Sequence, residues 1–270
     1  FPALLFNYIA QANLSSSELL RLVVAIIAAT LIIAFGLIYI QEKTNGDNKL
    51  FTSIFQGSVR YNSYIFIAAG DALYGDKGLE IIAVVAAYMI IFTNIISVLI
   101  FNTYVQDGDE DDEAPSKLEE IMVVLKRFST NPLILSSALG FIFNYLGIEL
   151  NIGVKKTLIS LSDSAMAMCV MCVGAALKFK IREEHVKQIL ATCLVKLIIM
   201  PFVTFITLFF FNITALPKAV GILYSCLPCS GTSYVLSRQL GGDTESMASI
   251  ITFTTIFSVM TIPFIMYLFA

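Results

Sequence analysis

The chain has no tryptophan, one histidine and few charges: 14% of its 270 residues are Asp, Glu, Lys or Arg. A soluble domain carries about 25% charged and about 45–50% apolar residues. Here 57% are apolar and the mean hydropathy is +0.83. That balance excludes an ordinary water-soluble domain and a basic nucleic-acid binder. The lone His185 excludes a histidine-rich metal site, and without Trp an aromatic belt must come from Tyr and Phe. Five cysteines lie in or beside apolar stretches, where a thiol packs as a small hydrophobe rather than building a disulfide framework. Cys169-x-x-Cys172 and Cys226-x-x-Cys229 have zinc-like spacing, but thiolates inside hydrocarbon are costly, so no metal and no cofactor is expected.

What the chain has is apolar blocks of roughly 20 residues, the length that crosses a bilayer as a helix. Spans are predicted at about 18–40, 57–75, 78–104, 131–150, 157–177, 188–213, 216–239 and 246–270, after an apolar stub at 1–12. The fold class is an all-α polytopic membrane protein. The opening has no Met and no signal-peptide plan, and it reads as the tail of a helix whose start precedes Phe1. Eleven Lys and Arg, including Lys43, Lys49, Arg60, Lys126 and Arg238, fall on one set of connections and span ends. Five (Arg21, Lys77, Lys155, Lys156 and Lys218) fall on the other. The richer side is expected to be cytoplasmic, which puts the C-terminus outside and loop 105–130 inside the cell.

That loop divides the chain into a first half, 1–104, and a second, 131–270. Its acidic run, Asp107 to Glu113, fails as an EF-hand: the sixth and twelfth positions are Asp112 and Leu118, not Gly and Glu. It reads as a solvated linker, followed by a capping box at Ser116 and Glu119 and an amphipathic helix to about Phe128. The halves share a pattern. "NSYIFIAAGDALYGD" (62–76) and "TSYVLSRQLGGD" (232–243) both hold Ser-Tyr, an apolar stretch and Gly-Asp. The second lies five spans after the first and is therefore upside down, the plan of an inverted-repeat secondary transporter.

The stretch "ILYSCLPCSGTSYVLSRQLGG" (222–242) spoils its own span. Pro228 lacks an N–H and interrupts the helix, and Gly231 loosens the next turn. Such a break is tolerated in hydrocarbon only when buried in protein or lining a wet cavity. The N-terminal end of each half-helix then carries roughly +0.5 of a charge and suits an anion. "VRYNSY" offers the matching break in the first half, with Asn62 able to serve freed backbone groups or a ligand. The bland reading is a single proline kink with Asn62 as interhelical glue.

"VRYNSYIFIAAGDALYG", "NPLILSSALGFIFNYLGI", "CVGAALKF", "LVKLIIMPFV" and "LPCSGTSYVLSRQLGGD" together resemble the auxin efflux carrier family, in order along the whole chain. "FPALLFNYIAQ" resembles the family's second span. The resemblance implies ten spans in two inverted five-span repeats, with crossed, broken fourth and ninth spans and substrate at the crossing. The related bile-acid symporters share that architecture. It implies a substrate site at Asn62, Ser63, Pro228, Cys229, Ser230, Gly231, Thr232, Ser233 and Tyr234. Plant auxin carriers have a Pro-Asn pair at each crossing. Tyr61-Asn62 and Pro228-Cys229 stand here, so bacterial or archaeal relatives that carry other small organic anions are the closer analogy.

Three charged residues are candidates for coupling. Lys196 lies about eight residues into its span; it snorkels, pairs with a carboxylate or substitutes for a coupling cation. Asp163 and Asp71 are each either interfacial or proton-accepting. Asn94 and Asn144 are expected to bond between helices, and His185 to be solvated. The leading reading is a non-enzymatic carrier of a small organic anion in the cell membrane. It works by elevator-like alternating access, with a homodimeric scaffold built on 131–177 and no nucleic-acid partner. The alternatives are an intramembrane Ser or Cys enzyme near Ser230, which lacks an embedded His and a Gly-x-Ser-x-Gly elbow, and a non-transporting sensor or scaffold.

Overall fold

A computed structural model describes residues 2–11, 17–105, 132–148, 150–175 and 183–269. The acidic run, the capping box and the amphipathic helix after it lie outside the described residues. So do the side chains of Asp163, Cys169 and Cys172.

The apolar blocks become helices throughout. After α1 (Pro2–Gln11) comes α2 (Ser17–Thr44), whose 28 residues reach about 42 Å, more than a hydrocarbon core of about 30 Å. The helix α3 (Asn48–Val59) starts where the Asp47 carboxylate accepts from Leu50 N–H at 2.8 Å. It stops after 12 residues, and α4 (Ser63–Tyr104) begins past a three-residue gap. Within α4, Gly75 holds φ 56° and ψ −153°, a conformation open to glycine, and splits the helix in two. Then come α5 (Pro132–Leu146), α6 (Ile152–Ala175), and α7 (Val186–Leu194) with α8 (Met200–Phe210). The second interrupted pair is α9 (Ala215–Cys226) and α10 (Thr232–Gln239), and α11 (Thr244–Phe269) closes the order.

Among the described residues, four helical stretches, Ser17–Thr44, Asn48–Tyr104, Val186–Phe210 and Thr244–Phe269, are long and apolar enough to cross a membrane. Large apolar side chains stay exposed along them, such as Phe35, Phe202, Phe209 and Met260. Lipid, not water, is the medium that suits such a surface. The predicted span at 57–75 is corrected: it begins at Asn48, and its interruption falls in the middle rather than at its start. Arg60 is therefore not a span end. Removing it leaves ten basic residues against five, so the charge bias keeps its sign.

Packing sorts the helices into two groups. α1 packs on α5 and α6, and among the described residues this trio meets the rest chiefly through α4. The Tyr88 and Phe141 rings, 5.6 Å apart, mark that contact. Within the trio, Asn144 of α5 bonds between helices as expected, donating to Ile9 O and Ala10 O of α1. Asn94 does not: its amide donates to Ile90 O in its own helix. The other group surrounds α3 and α9. Gly57 lets α3 approach closely, since a Cβ there would lie 2.6 Å from Ile250 and 2.8 Å from Thr192. Behind the interruptions, Tyr61, Phe66 and Tyr224 form a buried aromatic cluster, with centroids 4.6–5.8 Å apart.

Gly75→Ala forces a side chain into a left-handed backbone, at a cost of about 1–3 kcal/mol. A lower thermal midpoint for the detergent-purified variant is the expected result. An unchanged midpoint would mean that Gly75 is not held in this conformation.

Candidate functional site

The two interruptions meet. Asn62 N–H donates to Pro228 O at 2.9 Å, a backbone bond across 166 positions of sequence. Each break follows a 12-residue half-helix, about 18 Å long, so both fall near mid-depth of a bilayer. A backbone amide freed by one break is thus satisfied by a carbonyl freed by the other, as hydrocarbon burial demands.

Each side of the crossing is built differently. In the first break, Asn62 is the N-cap of α4, and its Oδ1 accepts from Tyr64 N–H at 3.0 Å and Ile65 N–H at 3.2 Å. The α4 N-terminus is therefore partly capped by its own chain, the service to freed backbone groups that was one of the two uses expected of Asn62. Of the Asn62 side chain, the amide nitrogen alone has no partner among the described residues. In the second break, residues 227–230 leave the helix, and Cys229 N–H donates to Thr254 Oγ1 at 3.2 Å. Ser230 and Thr232 pair through their hydroxyls at 2.8 Å. Ser233 is buried with its Oγ 3.6 Å from the Cys229 thiol, and Ser63 and Tyr234 are half-buried. Gly231 has φ −60°, so its backbone does not require glycine. A Cβ there would meet nothing within 4 Å, so Gly231 faces open space at the start of α10.

Sequence reasoning missed Arg60. Its side chain is buried, and it bridges the two broken helices. Nη1 donates to Gln56 Oε1 at 3.2 Å and Nη2 to Thr232 Oγ1 at 2.9 Å. Gln56 in turn donates to Ser237 Oγ at 2.9 Å. Arg60 uses two of the five N–H donors of a guanidinium, and no carboxylate pairs with it among the described residues. The cost of an unpaired buried charge is several kcal/mol. Its position adds to the imbalance, because Thr232 opens α10 and a helix N-terminus carries positive, not negative, partial charge. A cation laid against a positive helix end concentrates potential that an anion would neutralise.

Lys196 is the second buried cation. It is fully buried, and among the described residues its Nζ has no hydrogen-bond partner. Full burial does not suit snorkelling, and no carboxylate pairs with it among the described residues. The ammonium lies 6.0 Å from the centroid of the Tyr224 ring, in the last turn of α9. A one-turn π-helix over Val195–Ile199 presents it: Pro201 cannot donate, and Met200 N–H reaches back five residues to Val195 O. Asp71 stays apart, exposed on α4 about two and a half turns beyond Asn62.

His185 is not simply solvated. Its Nδ1 lies 2.9 Å from Ser246 Oγ and 3.3 Å from Asp243 Oδ2, which ties the turn before α7 to the start of α11. This trio is no catalytic relay, because a relay needs the two ring nitrogens to face different partners and here one nitrogen faces both.

An all-helical polytopic membrane protein whose interrupted helices meet at mid-depth belongs to the membrane transporters in class. The chain belongs to the membrane transport protein family, the auxin efflux carriers, whose family model matches residues 1–266. No curated protein matches it closely enough to add a named relative.

Asn62→Ala removes the α4 cap, worth about 1 kcal/mol. The thermal midpoint should fall by about 2–4 °C. Asn62→Ser, with a hydroxyl that can cap, should recover most of it. Equal midpoints for Asn62→Ala and the parent would show that the cap contributes nothing.

Proposed function

We propose that the protein is a secondary carrier that moves a small organic anion across the cell membrane by alternating access, with the anion bound at the crossing. The observation that carries this reading is Arg60: a buried guanidinium at mid-depth, with no carboxylate partner among the described residues, set against the start of α10. The substrate carboxylate takes the unused Arg60 donors, the Asn62 amide and the hydroxyls of Ser230 and Thr232. Gly231 leaves room for it. Ser63, Cys229, Ser233 and Tyr234 complete the wall, and Pro228 holds the break open.

Halves 1–104 and 131–270 act as inverted repeats, joined by the loop at 105–130 on the cytoplasmic side. α1, α5 and α6 form the scaffold, paired in a homodimer, and the helices around α3 and α9 form the moving body. The connection of the trio to the rest chiefly through α4, among the described residues, supports an elevator-like displacement. Asp71 and Asp163 remain candidates for proton coupling. The intramembrane-enzyme reading has no support in the crossing: Ser230 Oγ faces Thr232 Oγ1, and no histidine base stands beside it.

A radiotracer screen of organic acids in proteoliposomes, with and without a pH gradient, tests the reading. An acid taken up by the parent protein should bind Arg60→Gln roughly ten- to a hundredfold more weakly, the worth of charge-assisted hydrogen bonds at about 1.5–3 kcal/mol. Gly231→Val should lose uptake while keeping its thermal midpoint. Full uptake by both variants would remove the crossing from the function.

A further inference from the structure

One hydrogen-bonded chain of side chains crosses from α3 to α10. Ser237 Oγ accepts from Gln56 Nε2 at 2.9 Å, and Gln56 Oε1 accepts from Arg60 Nη1 at 3.2 Å. Thr232 Oγ1 accepts from Arg60 Nη2 at 2.9 Å, and the Ser230 hydroxyl lies 2.8 Å from it. Ser237 and Gln56 have no exposed surface, Arg60 is buried, and Thr232 is exposed. The chain therefore runs outward, from packed interior towards the open space beside Gly231.

Gln56 is the pivot of that chain. A guanidinium has no acceptor, so the Gln56 amide can face Arg60 only with its oxygen. Ser237 then holds the amide nitrogen, and turning the amide would break both bonds. The Gln56 main chain is tied as well: its carbonyl accepts from Arg60 N–H at 2.9 Å and from the Cys229 thiol at 3.7 Å. Gln56 thus fixes where the guanidinium points and joins it to the second break.

What Gln56 does not supply is charge. Carboxylates are the strong partners of a guanidinium, and a buried cation without one costs stability. Glutamate has the shape of glutamine, and the Ser237 hydroxyl can rotate to donate to it. A carboxylate at position 56 would be fully served and would cancel the Arg60 charge. Instead both side-chain partners of Arg60, the Gln56 amide and the Thr232 hydroxyl, are neutral.

We propose that Gln56 is a positioning residue that keeps the crossing selective for anions: it orients Arg60 through a neutral oxygen, so the guanidinium charge is left for a ligand. The use of that charge by a substrate rests on the carrier reading. The uncancelled charge rests on the geometry alone.

Thermal unfolding of the purified full chain, with no organic anion present, tests the charge. Gln56→Glu should melt higher than the parent, on the order of 5 °C, because it completes a buried ion pair. In an Arg60→Gln background the same change should lower the midpoint, because the carboxylate is then buried alone. A merely structural glutamine gives no such reversal of sign. Proteoliposome uptake tests the use. For an organic acid that the parent carries, Gln56→Glu should raise KM roughly ten- to a hundredfold, the loss expected of Arg60→Gln. A Gln56→Glu protein that melts lower, fails to fold or shifts equally in both backgrounds would overturn the proposal, as would an unchanged KM. If the parent carries no acid, the carrier reading fails, and the paired midpoints still decide whether Gln56 leaves the Arg60 charge uncancelled.

Discussion

A peptide group inside hydrocarbon must find a partner, and every unusual feature of this chain follows from breaking that rule in two places at once. A single interrupted helix would leave amides and carbonyls stranded at mid-depth. Here the Asn62 amide of one break meets the Pro228 carbonyl of the other, and each interruption helps satisfy its counterpart. Removing either break would strand the other. The paired breaks are therefore one structural unit, although 166 residues separate them in the chain.

The unit sets the polarity of what surrounds it. One half-helix start is capped from within by Asn62, and another, at Thr232, meets a guanidinium. One half-helix end carries a return bond from Arg60 N–H to Gln56 O, and the other has an ammonium nearby. Both cations are buried near the breaks; Lys196 faces the Tyr224 ring, whereas Arg60 adds to a positive helix end. Among the described residues no carboxylate balances Arg60. The buried aromatic cluster of Tyr61, Phe66 and Tyr224 packs behind the crossing and joins α9 to the first break.

Much of this was legible in the sequence, for reasons that differ residue by residue. Pro228 announces its break because no other residue type removes a backbone donor. The apolar blocks announce the helices because a length of roughly 20 residues is fixed by bilayer thickness. Lys196 was visible as a depth anomaly, but its full burial was not, since nothing local says what surrounds it. Arg60 was misread as a cytoplasmic anchor. A basic residue beside an apolar run usually marks a span end, and only the true start of α3 at Asn48 reveals that Arg60 lies in the middle. Asn62 was seen as versatile, yet its capping geometry depends on where the break ends, which periodicity cannot place to the residue. The contacts of His185 are likewise tertiary, joining segments about 60 positions apart.

The central claim is that the crossing opens to water and accepts an anion at mid-depth. The most direct measurement is labelling of Gly231→Cys, in an otherwise cysteine-free version, by a membrane-impermeant methanethiosulfonate, with and without a mixture of small organic acids. Brisk labelling that slows when the acids are present is the predicted result. An inert thiol, or one that reacts equally fast in their presence, would contradict the account.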